Sequence, residues 1–131
     1  MKVLALDYGR ALTGVAVSDP TGTIARPLCV VERAGSGDGL ARLAALIGEH
    51  QVERVVVGLP LTLRGDRGEQ ARETERFVAA LGDVTDVPVL MFDERFTTDL
   101  AQQGPSETPE DARAAAHLLS SYLAWSSGAP A

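Results

Sequence analysis

The chain has 131 residues, 45% of them hydrophobic, and a single cysteine, Cys29. That is enough for one domain with its own core, and it excludes an intramolecular disulfide and a cysteine-based zinc site. A net charge of −6 excludes a generally basic surface, so any contact with nucleic-acid phosphates must come from a local patch.

Val3, Leu4, Ala5 and Leu6 form a continuous apolar run, the pattern of a strand covered on both faces and therefore central in its sheet. Asp7 stands where that strand surfaces. A carboxylate fixed by packed backbone is well placed for chemistry, although Asp also commonly opens turns. The apolar run breaks at Asp7, too early for a signal-peptide core, and no later run approaches membrane-spanning length. A soluble, cytoplasmic protein that avoids membranes is expected. Gly9 allows a tight turn, Gly14 leaves room beside the next strand, and Val15, Ala16 and Val17 complete a hairpin.

Asp19-Pro20-Thr21-Gly22 has the residue pattern of a type I turn, which makes Asp19 a turn former. The run from Ile24 to Val31 gives a third strand, and Pro27 within it favours an edge or a bulge. Leu40, Leu43, Ala44 and Ile47 recur at helical spacing. Val55, Val56 and Val57 then make a buried strand that stops at Gly58-Leu59-Pro60, before a loop carrying Arg64, Gly65, Asp66, Arg67 and Gly68. Ala71, Thr74, Phe77, Val78 and Leu81 repeat the helical spacing, and Val87 to Phe92 give a fifth buried strand ending in Asp93-Glu94-Arg95.

Thr97 or Thr98 caps a short helix through Gln103, ended by Gly104-Pro105. The last helix starts near Pro109 and places Asp111 on the same stripe as Ala115, Leu118, Leu119 and Tyr122. His117 falls opposite that stripe and is expected in solvent. From Ser126 the tail is small and polar, and 126–131 is expected to be disordered. The order of elements predicts an α/β fold with a mixed five-stranded sheet. An antiparallel meander of the first three strands is joined by right-handed crossovers to two strands parallel to the first, with helices on both faces.

Three acidic points converge in this layout: Asp7, then Asp93 or Glu94, then Asp111. Crowded carboxylates repel unless a cation neutralises them, and an all-oxygen set selects Mg²⁺ or Mn²⁺. Such ions activate water and stabilise the leaving oxygen in phosphodiester cleavage. Each acid has a plainer reading. Thr108-Pro109-Glu110-Asp111 also fits a capping box, and Glu94 with Arg95 fits an exposed ion pair. Alternate residues of an extended segment face opposite ways, so Asp93 and Glu94 are not both expected in one site.

The runs ALDYG and GVAVSD with ARPL, then VVVGLPL with Gly65, then DERFTT, then D-x-x-A-A in the last helix, resemble the YqgF/RuvX family of RNase H-like nucleases. The resemblance covers roughly Lys2 to Ala124. It implies an RNase H-like domain over residues 1–125 and a divalent-metal phosphodiesterase. The implied role is either maturation of the 5′ end of pre-16S ribosomal RNA or resolution of Holliday junctions. The family's acidic site falls on Asp7, Glu94 and Asp111. The chain departs from the family pattern at Ala11, where a basic residue is usual, and at Thr13, where a branched apolar residue is usual. It departs again between Asp99 and Glu110, which is short and acidic.

The leading expectation is a Mg²⁺ (or Mn²⁺) nuclease acting on a structured RNA precursor or branched DNA, as a monomer or a homodimer. Asp7, Glu94 and Asp111 are its metal ligands, and Arg10, Arg64, Arg67 and Arg95 its phosphate contacts. The alternative of another class is an inactive RNase H-like module that binds nucleic acid or a ribosome precursor. Asp-x-Gly also opens actin-like kinases, but those need a second phosphate loop and a second domain.

Overall fold

The structure, a computed structural model, describes residues 1–61, 64–94 and 110–127. Its strands are β1 (Val3–Asp7), β2 (Leu12–Ser18), β3 (Ala25–Glu32), β4 (Arg54–Leu59) and β5 (Val89–Asp93). Its helices are α1 (Gly37–Glu49), α2 (Glu69–Gly82) and α3 (Glu110–Ser126). The strands form one sheet in the order β3-β2-β1-β4-β5, with β1, β2 and β3 antiparallel and β4 and β5 parallel to β1. This is the predicted mixed sheet, with the unbroken apolar strand β1 at its centre.

Strand alternation divides the core in two. Leu4, Leu6, Val15, Val17, Val55 and Val57 pack on one face beneath α1 and α2, joined by Leu43, Phe77 and Leu81. Val3, Ala5, Ala16, Val56 and Phe92 face the other way, beneath Ala115, Leu118, Leu119 and Tyr122 of α3. Tyr122 keeps its hydroxyl satisfied by accepting a hydrogen bond from Arg54 Nη1 at 2.9 Å. Ser36 caps α1, its hydroxyl accepting from the Gly39 N–H at 3.0 Å.

The turn at Asp19 is as expected: the Gly22 N–H reaches the Asp19 carbonyl at 3.0 Å. The Asp19 carboxylate accepts from the N–H groups of Ile24 and Thr23 and from the Thr21 hydroxyl, and these bonds hold it well below the usual carboxylate range. β3 is an edge strand. Val15 pairs with Cys29 but Ala16 with Pro27, so Leu28 is the extra residue of a bulge beside a proline that has no N–H to give.

Three expectations fail in detail. β5 is not a buried strand: Leu90 and Met91 are 39% and 44% exposed, because β5 is the other edge and α3 lies chiefly over β2, β3 and β1. His117 is half-buried rather than in solvent, as are its helix neighbours Arg113, Ala114, Ala116 and Ser121, so the covered part of α3 is wider than its apolar stripe. α3 also continues through Ser126, whose hydroxyl donates to the Leu123 carbonyl at 3.3 Å. Arg95, the expected short helix at 97–103, the Thr108-Pro109 cap and residues 128–131 lie outside the described residues.

Candidate active site

The rim of the sheet is set by the same alternation as the core. Asp7 lies two residues beyond Ala5 on β1 and so faces the α3 side, and its β2 partner is Gly14. On β4, Val57 pairs with Leu6, so the next residue, Gly58, lies beside Asp7. Glu94 lies two residues beyond Phe92, the β5 partner of Gly58, and shares its side of the sheet. In register the rim row reads Gly14, Asp7, Gly58, Phe92, and Glu94 lies just past the end of β5, reaching back over Gly58.

Both glycines make room for an acid. A Cβ on Gly58 would stand 2.5 Å from Glu94 Oε1 and 3.0 Å from its Cγ, so the Glu94 side chain fills the space the glycine leaves and reaches Asp7. A Cβ on Gly14 would collide with the main chain of Asp111, and would lie 3.1 Å from the N of Ala112. The room expected beside a neighbouring strand is thus occupied by the first turn of α3. Asp111 is half-buried, and its charge bears on Asp7.

The two rim acids share a hydrogen bond. Burial pushes Asp7 up, the bond from Glu94 opposes that rise, and the Asp111 charge adds to it. Burial, the Asp7 charge, the hydrogen bond and the Asp93 charge together push Glu94 up to about 7. Near neutral pH the Glu94 carboxyl is therefore partly protonated and donates to the Asp7 carboxylate. One proton holds two acids together where a cation would otherwise be needed.

Thr13 fixes the loop that follows Asp7. It is fully buried, and its hydroxyl donates to the Gly9 carbonyl at 3.2 Å and accepts from the Gly9 N–H at 3.3 Å. The departure at this position keeps the branched shape and adds a clamp on the turn. Its sequence signal is weak: a β-branched hydroxyl four residues after a turn glycine.

The acids open into a cleft of about 530 Å³, lined among others by Tyr8, Arg10, Pro60, Glu69, Glu73 and Thr74. Of the expected phosphate contacts, Arg10 is at this cleft and makes an ion pair with Glu73. Arg67 pairs with Glu75 through Nε at 3.0 Å and Nη2 at 2.8 Å. Arg64 is exposed. The cleft is thus predominantly acidic, which for a phosphate ligand requires an intervening cation.

Among the described residues no three acidic, histidine or cysteine side chains are already grouped to hold one metal ion. Asp7 and Glu94 supply an all-oxygen pair that suits a hard divalent cation, with Asp111 near enough to act on Asp7 electrostatically. The donor chemistry fits Mg²⁺ or Mn²⁺. Among the described residues no helix is long and apolar enough to cross a membrane.

Residues 1–125 match the RuvX family, described as Holliday junction resolvase. The chain is 43% identical to a protein of Chloroflexus aggregans over 130 residues, covering 92% of each, and that relative is named "Putative pre-16S rRNA nuclease". A relative of the same name from Anaeromyxobacter sp. is 41% identical, with 94% of this chain and 96% of that one covered. The fold is that of Thermus thermophilus RuvC, solved with a Holliday junction substrate. The TM-score is 0.65 with 21% identity, over 98% of this chain and 96% of that one.

Proposed function

This chain belongs to the RuvX family, and from that premise we propose that it is a divalent-metal nuclease hydrolysing phosphodiester bonds in the 5′-end processing of pre-16S ribosomal RNA. It acts in the cytoplasm through one domain spanning residues 1–125. The observation that carries the reading is the hydrogen-bonded pair Asp7 and Glu94, held at the ends of β1 and β5 in an acidic cleft, with Glu94 pushed up to about 7 by burial and by its partner. Structural ion pairs normally lower carboxylate pKa values. Two neighbouring acids that are both raised, Asp7 by burial and the Asp111 charge and Glu94 by burial and Asp7, are better explained by a site built for a cation.

Asp7 and Glu94 are the ligands, with Asp111 completing the set from the first turn of α3. A bound Mg²⁺ or Mn²⁺ supplies positive charge to the phosphodiester oxygens and lowers the pKa of water near them. The chain's own part is placement. Rigid strands fix the two carboxylates, Gly58 admits Glu94 beside Asp7, and Thr13 holds the turn after Asp7 in one shape. Glu94 must give up its proton before it can serve as a ligand. Arg10, Arg64, Arg67 and Arg95 are the candidate phosphate contacts outside this centre.

The test is Mg²⁺-dependent cleavage of a 5′-labelled RNA helix bearing a single-stranded leader, run beside a labelled four-way DNA junction. Wild type should cut the RNA, and Asp7→Asn and Glu94→Gln should each lose at least about 100-fold in rate. Preferential junction cleavage would assign the chain to resolution of branched DNA, a reading favoured by its family description. That reaction cuts two strands and calls for a homodimer. Binding without metal-dependent cleavage of either substrate would mark an inactive module.

A further inference from the structure

Beyond the acidic cleft, on the other side of Tyr8, lies a second groove of about 330 Å³. The two share Tyr8, Arg10 and Glu73, so they are continuous, but their charge differs. The cleft carries Asp7, Glu69, Glu73 and Glu94 against Arg10 alone. The groove carries Arg10 and Arg76 against Glu73 alone. Its wall is rigid: the rings of Tyr8 and Phe77 stack with centroids 4.4 Å apart and 19° between planes. Tyr8 Oη lies close over Gly35, where a Cβ would stand 3.5 Å from it.

The two arginines are not committed to the fold. Arg76 is 67% exposed, and its nearest acid is Glu69 at 3.9 Å, itself 73% exposed. Arg10 is 79% exposed and turned onto Glu73, a carboxylate only 19% exposed. The Arg10 end of the pair stands in solvent, so an incoming anion can reach its guanidinium beside Glu73. Glu73 thus stands where a phosphate oxygen would complete the same charge-assisted bond.

We propose that this groove is a phosphate subsite that holds the phosphodiester backbone of the strand leaving the cleavage position. Arg76 and Arg10 are its cations, and Glu73 occupies Arg10 until a phosphate displaces it. The subsite extends the nuclease reading and rests on it. It offers a chain of net charge −6 a local positive patch for a polyanion, since the groove that continues the cleft holds two arginines against one acid. It also gives Tyr8 a role in positioning, since its stack on Phe77 separates the acidic half from the basic half.

The experiment measures fluorescence anisotropy of the labelled leader RNA and of the four-way junction against salt, in EDTA so that no cation bridges the acids. Arg76→Ala should bind about fivefold more weakly, with a salt slope flatter by roughly 0.7 to 0.9, and Arg76→Lys should restore the slope. Glu73→Gln should bind more tightly with a steeper slope, and should have no effect when combined with Arg10→Ala. The better-bound substrate tells whether the strand is RNA or DNA. Wild-type binding left unchanged by both Arg76→Ala and Glu73→Gln would overturn the subsite while leaving the nuclease reading intact. No wild-type binding to either substrate in EDTA would likewise overturn the subsite, whereas the nuclease reading falls only if Mg²⁺-dependent cleavage is absent.

Discussion

The two ends of the α3-facing side of the sheet obey one alternation and reach opposite results. At the lower end Val3, Ala5, Ala16, Val56 and Phe92 meet the apolar stripe of α3 and are sealed. At the upper end the same face of β2, β1 and β4 carries Gly14, Asp7 and Gly58, with Glu94 just past the end of β5, and the burial that stabilises hydrocarbon below raises both acids above. The site is therefore a continuation of the core face in which glycines leave room for the Glu94 side chain and for the first turn of α3. Stability and function should consequently respond differently to substitutions made a few residues apart on the same strands.

The largest effect is expected at Gly14, where the obstacle to a side chain is main chain and cannot swing aside. Gly14→Ala should lower unfolding stability by about 3 kcal/mol in a denaturant titration, by lifting the start of α3 off the sheet. A loss below about 1 kcal/mol would show that α3 docks loosely at this end.

Gly58→Ala should behave in the opposite way, because its obstacle is the far end of a flexible side chain. Glu94 should be displaced from Asp7, with cleavage slowed about 100-fold and stability changed by less than about 1 kcal/mol. Equal losses of stability at both glycines would erase the distinction between the two ends.

The pH dependence of the metal-free protein comes next in size. The folded chain keeps a proton on Glu94 up to about 7, whereas the unfolded chain releases it near the ordinary value of 4.5. The stabilisation from this proton is complete below 4.5 and is lost as pH rises toward 7, and the raised Asp7 acts with the same sign. In EDTA, stability should therefore fall by about 2 kcal/mol between pH 5 and pH 8, after allowing for solvent screening of a partly exposed group. Glu94→Gln should flatten that slope.

Much of the upper end was legible from sequence, and what was not has an identifiable cause. The apolar run of β1 located Asp7, and the stripe of α3 located Asp111. The choice between Asp93 and Glu94 turned on knowing which face of β5 meets α3, and the buried Phe92 would have decided it once that face was known. Gly58 read as the end of a strand because Glu94, whose side chain fills the space beside it, is brought there by the pairing of β4 with β5 rather than by sequence proximity. The same holds for Arg10 and Glu73, which are 63 residues apart. Arg10 and Arg67 looked free for phosphate in the sequence, yet both meet acids of α2 in the fold. β5 read as buried because its residues are apolar, although its edge position leaves Leu90 and Met91 exposed.

The central claim is that a divalent cation takes the place of the proton shared by Asp7 and Glu94, and Mn²⁺ titration calorimetry at pH 6 and pH 8 tests it most directly. With Glu94 at about 7, wild type should bind Mn²⁺ about tenfold more tightly at pH 8 than at pH 6 and release protons on binding. Asp7→Asn should abolish binding, and Asp111→Asn should weaken it if Asp111 is a ligand rather than a cap. Equal Mn²⁺ affinity at the two pH values, or binding unchanged in Asp7→Asn and Glu94→Gln, would contradict a metal centre built on these carboxylates.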